Sequence, residues 1–325
     1  MTTKITKILK AWCVEVGEEI TITQARREYL SLESPPERFT FYCNDPACRK
    51  LPELVSIVGA NYRFPAQENK KYVAPYFRSK DEHHPDCQWL VQLDEKKPTS
   101  DEKPEEALQR MARRKVNDLI TVFDPRSRAT AAVITTQPGT IAGHGESAAG
   151  EGSIRGNTKN GDIAGENRTS DLDRLVDSYL EATQTLTHAE FEALRLKIIG
   201  RGNVSYRDYF HWVGRSDGSG VTYGGISKPE SYGYGFDLIF FDKYQRRPVH
   251  LYVPSKLLRA YKHHRFLKSS VDEVLKSEGR KYLKVFCLGR FEFSSQHDSW
   301  NLVVDDLNHL VLRVISKEIL DPSMI

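Results

Sequence analysis

The sequence predicts an α+β protein: a small module stapled by cysteine and histidine, then an antiparallel β-barrel with flanking helices. Three observations predict it. Three of the five cysteines fall in one 45-residue window beside a histidine pair. Short alternating runs bounded by turn residues fill both ends of the chain. A glycine-rich stretch divides those ends.

The chain has 325 residues, roughly two domains at about 150 residues each. It is 39% hydrophobic and 28% charged, so it has apolar material for a core. No stretch reaches the ~18 consecutive apolar residues of a spanning helix, and no membrane association is expected. The first residues, Met1 to Lys7, lack the apolar run of a secretory signal. The odd, widely spaced cysteines argue against a disulfide framework. A cytoplasmic location is therefore expected.

Residues 1–95 form the first expected module. Ile20 to Thr23 and Arg38 to Cys43 alternate as half-buried strands. Leu54 to Gly59 and Pro75 to Arg78 read as strands as well. Residues 96–136 are expected to be a linker leading into a helix. Glu105 to Phe123 carries Leu108, Met111, Ala112, Val116, Leu119 and Ile120 at helical spacing, with Pro104 and Pro125 punctuating it. Residues 137–168 hold eight of the 21 glycines and no aromatic, Leu or Val residue. Such a segment cannot bury enough apolar surface to offset its ordering entropy, so a disordered linker is expected.

The last module, 169–325, opens with a helix from Asp171 to Thr183, capped by Ser170 or Asp171. A second short helix is expected over His188 to Lys197. Strands follow at Val204 to Val213, Val221 to Ser227, Tyr234 to Phe241 and Val249 to Val253. A helix over Ser255 to Ser277 turns Leu257, Leu258, Tyr261, Val271, Val274 and Leu275 inward. Strands at Lys281 to Phe293 and Asn301 to Val314 close the chain.

The cysteine window reads Cys43-Asn44-Asp45-Pro46-Ala47-Cys48, then His83-His84-Pro85-Asp86-Cys87. Two short-spaced ligand pairs on separate turns can close a tetrahedron around Zn²⁺. Cys43, Cys48, His84 and Cys87 are the expected ligands, with His83 the alternative to His84. His84 is preferred because His-x2-Cys makes the tighter knuckle. Four protein ligands leave no open position, so the metal would be structural. The competing reading is a set of buried free thiols.

Cys43, Cys48, Pro75-Tyr76-Phe77-Arg78, His84 and Cys87 together resemble the small cysteine/histidine zinc modules of some bacterial competence-type and mobile-element proteins. The resemblance covers about 50 residues. In the competence-type proteins a nuclease domain follows. No such domain is legible here, and that activity is not carried over.

The net charge is only +3, which alone would argue against a polyanionic partner. The sum is misleading. Between Lys243 and Arg290, thirteen Lys/Arg residues face three acids, giving +10 in 48 residues and leaving −7 for the rest. From Tyr206 to Trp300 lie 19 of the 33 aromatic residues. Interleaved cations and aromatics suit single-stranded nucleic acid, because phosphates take the charge and bases stack. Most of the aromatics are expected to be strand core. The expected contacts are Tyr223, Tyr232, Tyr234, Lys243, Tyr244, Arg246, Arg247, Lys256, Arg259, Lys262, Lys284 and Arg290. The order of strands and helix, with Lys281 to Phe291 followed by Leu307 to Leu312, is similar to an OB-fold. That resemblance implies an oligonucleotide-binding barrel.

Searches for an enzyme are largely empty. Asp237 sits on a good strand, but the next strand carries no acid, and no Gly-x-Ser-x-Gly or His-Glu-x-x-His is present. The expected function is a zinc-containing protein binding single-stranded DNA or RNA, of a bacterial mobile-element or defence type. The alternatives are an unrecognised metal-dependent nuclease and a protein–protein adaptor whose partner docks on the zinc module.

Overall fold

A computed structural model describes residues 4–6, 8–65, 75–92, 104–126, 167–216 and 218–316. Both ends of the expected 96–136 segment (96–103 and 127–136) and nearly all of the glycine-rich segment lie outside the described residues.

The first module contains β1 (Lys4–Thr6), β2 (Lys10–Cys13), β3 (Glu18–Thr21), α1 (Ile22–Ser31), β4 (Phe41–Cys43), β5 (Ser56–Ala60), β6 (Tyr76–Ser79) and β7 (Leu90–Gln92). Five strands pair antiparallel in the order β3-β2-β4-β5-β6, while β7 pairs with β1. The strand expected through Thr23 stops at Thr21, where a capping box starts α1. Thr21 Oγ1 accepts from the Gln24 N–H at 3.2 Å, and Gln24 Oε1 accepts from the Thr21 N–H at 2.8 Å. These bonds satisfy donors that a helix start otherwise leaves open. The core holds Phe39, Phe41, Tyr62 and Phe77. A Cβ at Gly59 would lie 2.9 Å from both the Phe41 and the Tyr62 rings, so only glycine lets β5 pass beneath them.

The second core is built from α2 (Pro104–Lys115), β8 (Val122–Phe123), β9 (Arg168–Thr169), α3 (Leu172–Thr185), α4 (His188–Glu192), β10 (Arg195–Ile198), β11 (Gly202–Ser205), α5 (Tyr206–Tyr209) and β12 (Phe210–Trp212). The sequence reading gives 96–136 as a linker and an amphipathic helix, and that helix is α2. Its Ala112, with Val116, Leu119 and Ile120 just beyond it, joins Leu172, Leu175 and Val176 in one core. The strand order here is β11-β10-β8-β9. Strand β8 precedes the glycine-rich segment and β9 follows it, and the two pair directly, Val122 with Arg168 and Phe123 with Thr169. The Asn167 carbonyl accepts from the Thr121 N–H at 2.9 Å, and the Thr169 carbonyl accepts from the Asp124 N–H at 2.9 Å. The chain thus leaves and re-enters one sheet. The residues on either side of the expected linker at 137–168 meet in one sheet.

The third core surrounds β13 (Val221–Tyr232), β14 (Gly235–Phe240), β15 (Val249–Val253), α6 (Ser255–Ala260), α7 (His264–Lys276), β16 (Lys281–Cys287), β17 (Arg290–Ser294), β18 (Ser299–Val303) and β19 (Leu310–Ser316). The strands run β17-β18-β15-β14-β13-β16-β19, with β12 beside β13. The sheet is mixed, because β15 pairs parallel with β18 and β12 parallel with β13. No closed barrel is found among the described residues. The inner face is covered by helices and not by a returning strand: Leu258, Leu267, Val271 and Val274 pack on Leu238, Leu251, Val285 and Leu312. The single helix expected over Ser255 to Ser277 is two, parted at Tyr261, whose backbone is extended. Leu275, expected inward, is exposed.

Strand β19 is buried along nearly its whole length. Leu310, Leu312 and Val314 face the third core, while Val311 faces the second. Arg313 shares the Val311 side, by the twofold alternation of a strand, and meets α3. Its Nη2 lies 2.7 Å from Asp177 Oδ1 and also bonds Asp173. From the first module, Arg26 reaches the same two carboxylates at 2.7 and 3.4 Å. Arg27 pairs with Asp171 at 2.9 Å. Lys262 and Arg265 pair with Glu28 and Glu33, on and just past α1, at 2.6 and 3.4 Å. The first module is therefore clasped to the remainder through α1.

Candidate metal centre and aromatic groove

The cysteine knuckle begins where β4 ends. Asp45, buried, accepts from the Ala47 N–H at 2.8 Å through Oδ1, which folds the turn carrying Cys48. Its Oδ2 accepts from the Gln88 N–H at 3.1 Å, beside Cys87. One carboxylate thus ties both knuckles together. Asn44 Oδ1 adds a second tie, accepting from Trp89 Nε1–H at 2.8 Å.

Four ligand atoms converge: those of Cys43, Cys48, His83 and Cys87, all within 4.8 Å of one another. Cys43 Sγ lies 3.8 Å from Cys87 Sγ. His83 Nδ1 lies 3.5 Å from Cys48 Sγ and 3.2 Å from Cys87 Sγ. A tetrahedral ion with bonds of about 2.3 Å to sulfur and 2.0–2.1 Å to nitrogen would set S···S near about 3.8 Å and S···N near about 3.6 Å. The group could hold a metal ion.

The structure places His83 in this group in the position the sequence reading gives to His84. His84 Nδ1 accepts from the Asp86 N–H at 3.2 Å, which turns the ring away. Only the His84 backbone takes part, donating to Cys48 Sγ at 3.4 Å. The Pro85-Asp86 turn demands that bond, so the three-residue spacing of His83 meets the cluster while the two-residue spacing of His84 does not. Burial keeps His83 below the ordinary histidine value, although Asp45 and Asp81 pull it up. Burial likewise raises the Cys43 thiol and pushes Cys87 to about 11. Thiols held this high ionise readily only beside a cation.

The residues expected to meet nucleic acid do not form one track. Tyr232, Tyr234, Lys256 and Arg259 gather near the β13–β14 hairpin, where Arg259 lies over the Tyr234 ring at 5.2 Å. Tyr244 stacks on Phe291 at 4.5 Å, and Arg247 is paired with Asp298 at 2.6 Å, with the exposed Arg246 between them in sequence. Lys262 and Arg290 line a groove of about 1020 Å³, but both are engaged by carboxylates, Glu28 for Lys262 and Glu292 and Asp305 for Arg290.

Tyr223 and Lys284 are brought together, with the Lys243 backbone beside Gly214, and with them two residues the sequence reading missed, Trp212 and Arg215. Trp212, Gly214, Arg215, Tyr223 and Asp242 line a groove of about 490 Å³. Trp212 is 39% exposed and meets the Tyr223 ring edge-on at 5.3 Å. Lys284 Nζ lies 5.9 Å from the Tyr223 ring and 5.5 Å from that of Phe286. Register explains the grouping: Tyr223 is opposite both Trp212 and Phe286, and Lys284 is opposite Gly225, all on one sheet face. Trp212 could not be found from periodicity, because its exposure depends on β12 ending beside β13.

Among the described residues no helix is long and apolar enough to cross a membrane. No protein-family model, curated protein or solved structure matches this chain.

Proposed function

We propose that this chain is a zinc-containing protein that binds single-stranded nucleic acid through the groove at Trp212. The observation that carries the reading is an exposed indole beside Tyr223, flanked by Arg215 and Lys284, with the Lys243 backbone next to Gly214. Six of the thirteen cations between Lys243 and Arg290 are spent on carboxylates, whereas Arg215 and Lys243 are two of the module's cations with no carboxylate partner among the described residues. In this reading cations take the phosphates, the indole stacks a base, and Zn²⁺ on Cys43, Cys48, His83 and Cys87 holds the first module folded. The order of three meandering strands, helices and a strand returning to the first supports an open relative of the OB arrangement. The resemblance of the Cys/His module is the only pointer to a mobile-element or defence setting.

Titration of labelled single strands at rising salt tests the reading. Affinity should fall steeply with salt, and Trp212→Ala should weaken it about five- to 150-fold, the equivalent of about 1–3 kcal/mol for one stacked base. Binding indifferent to both would sink the proposal.

A second reading, a nuclease, is favoured by one observation. Glu230 is opposite Asp237 on neighbouring strands, and Asp237 Oδ2 lies 2.8 Å from His250 Nδ1. It expects Mg²⁺-dependent strand cleavage that Asp237→Ala abolishes. A purified protein that leaves strands intact removes it.

A further inference from the structure

Resting on the reading of the Trp212 groove as a nucleic-acid site, we infer that the groove selects guanine over the other bases. The selecting group is Asp242. Its carboxylate lines the groove and has no hydrogen-bond or ion-pair partner among the described residues. An ionised carboxylate only accepts hydrogen bonds, and two oxygens call for two neighbouring donors.

The bases differ in what they bring. In a single strand the Watson–Crick edge is free to be read. Guanine alone presents two adjacent donors there, N1–H and the 2-amino group. Adenine offers one donor beside an acceptor. Cytosine offers one donor beside acceptors, and thymine or uracil one donor between two carbonyls. Each of those three would push a carbonyl or ring-nitrogen lone pair against the carboxylate. Guanine is also held by the broad face of Trp212, while Arg215 faces the adjoining phosphate.

The floor of the groove favours a flat ligand. A Cβ at Gly214 would lie 3.2 Å from the Lys243 carbonyl oxygen and 3.6 Å from Trp212 Cδ1. Even a methyl group there would crowd the Lys243 carbonyl and lie in contact with the indole, taking up clearance beside it that glycine leaves open. The tryptophan, the bare backbone beside it and the unpaired carboxylate thus supply a stacking surface, clearance and an edge reader.

The test compares short oligothymidylates carrying one central guanine, adenine, cytosine or hypoxanthine. The full chain is used, and binding is read by quenching of Trp fluorescence and by anisotropy. Guanine should bind about five- to 150-fold more tightly than adenine or cytosine, the usual discrimination of a bidentate contact. Hypoxanthine, which keeps N1–H but lacks the 2-amino group, should fall between. Asp242→Asn removes a charge and should strengthen binding generally, so the quantity read is the ratio of guanine to adenine affinity, which should fall to near one. Equal affinity for all four strands, or a guanine preference untouched in Asp242→Asn, overturns the selectivity and leaves the binding reading standing. Absence of binding to every strand overturns both.

Discussion

At the scale of single residues, the decisive contrast is between two adjacent histidines. His83 presents Nδ1 to two sulfurs, while His84 spends its ring nitrogen on the turn. Metal analysis of purified variants should show about one ion per chain for the parent and for His84→Ala. His83→Ala and Cys48→Ser should fall well below that. Asp45→Ala should keep the ligands yet weaken metal affinity about 10- to 100-fold, because it loosens both knuckles at once. Sequence spacing locates the cysteines, since Cys-x4-Cys is short enough to be decided by one turn. It does not locate the histidine. Either neighbour satisfies the spacing, and the choice rests on an Asp86 N–H bond that only the folded backbone reveals. Trp212 and Asp242 are hidden for a related reason, because their shared groove joins two segments some thirty residues apart.

At the scale of elements, α1 and β19 carry the joint. Burial pushes the Asp173 carboxyl up, but Arg313, Arg26 and Arg27 together outweigh it and hold it at about 2. The folded value is below the unfolded one, so this contribution is complete above about pH 4 and is lost as pH falls toward 2. An acid titration followed by circular dichroism should show the modules loosening in that interval. Arg313→Met leaves two buried carboxylates short of a partner and should cost about 3–5 kcal/mol by urea denaturation. A loss below about 1 kcal/mol would mean that Arg26 alone suffices. In the sequence Arg313 looks misplaced, a charge inside Leu310-Val311-Leu312-Arg313-Val314-Ile315. Strands were largely legible from alternation, and β15 falls within its expected bounds. The clasp was not, because its members lie more than 130 residues apart.

At the scale of the whole molecule, the three cores are linked in series. In the proposed function a metal ion on the Cys/His group holds the module that bears α1, and α1 supplies Arg26 and Arg27 to α3. Removing metal should therefore loosen more than its own knuckles. A chelator should lower the melting temperature of the entire chain, and the destabilisations of Cys48→Ser and Arg26→Ala should fail to add. Simple additivity would show the modules to be energetically separate. The formal charge also changes meaning at this scale. The excess of +10 between Lys243 and Arg290 is drained by acids elsewhere, notably Glu28 and Glu33, so it serves partly as glue between modules.

The pairing of β8 with β9 governs how the polypeptide can be divided. Covalent continuity between Phe123 and Arg168 is not what holds those strands side by side; ladder bonds and a shared hydrophobic core do that. The protein should accordingly tolerate being made as two polypeptides, 1–136 and 137–325, that find each other and complement. Co-expressed pieces should co-purify with bound metal and with the strand affinity of the parent. The same sheet edge would then serve as the place to insert a reporter or an affinity handle without disturbing either the metal centre or the groove.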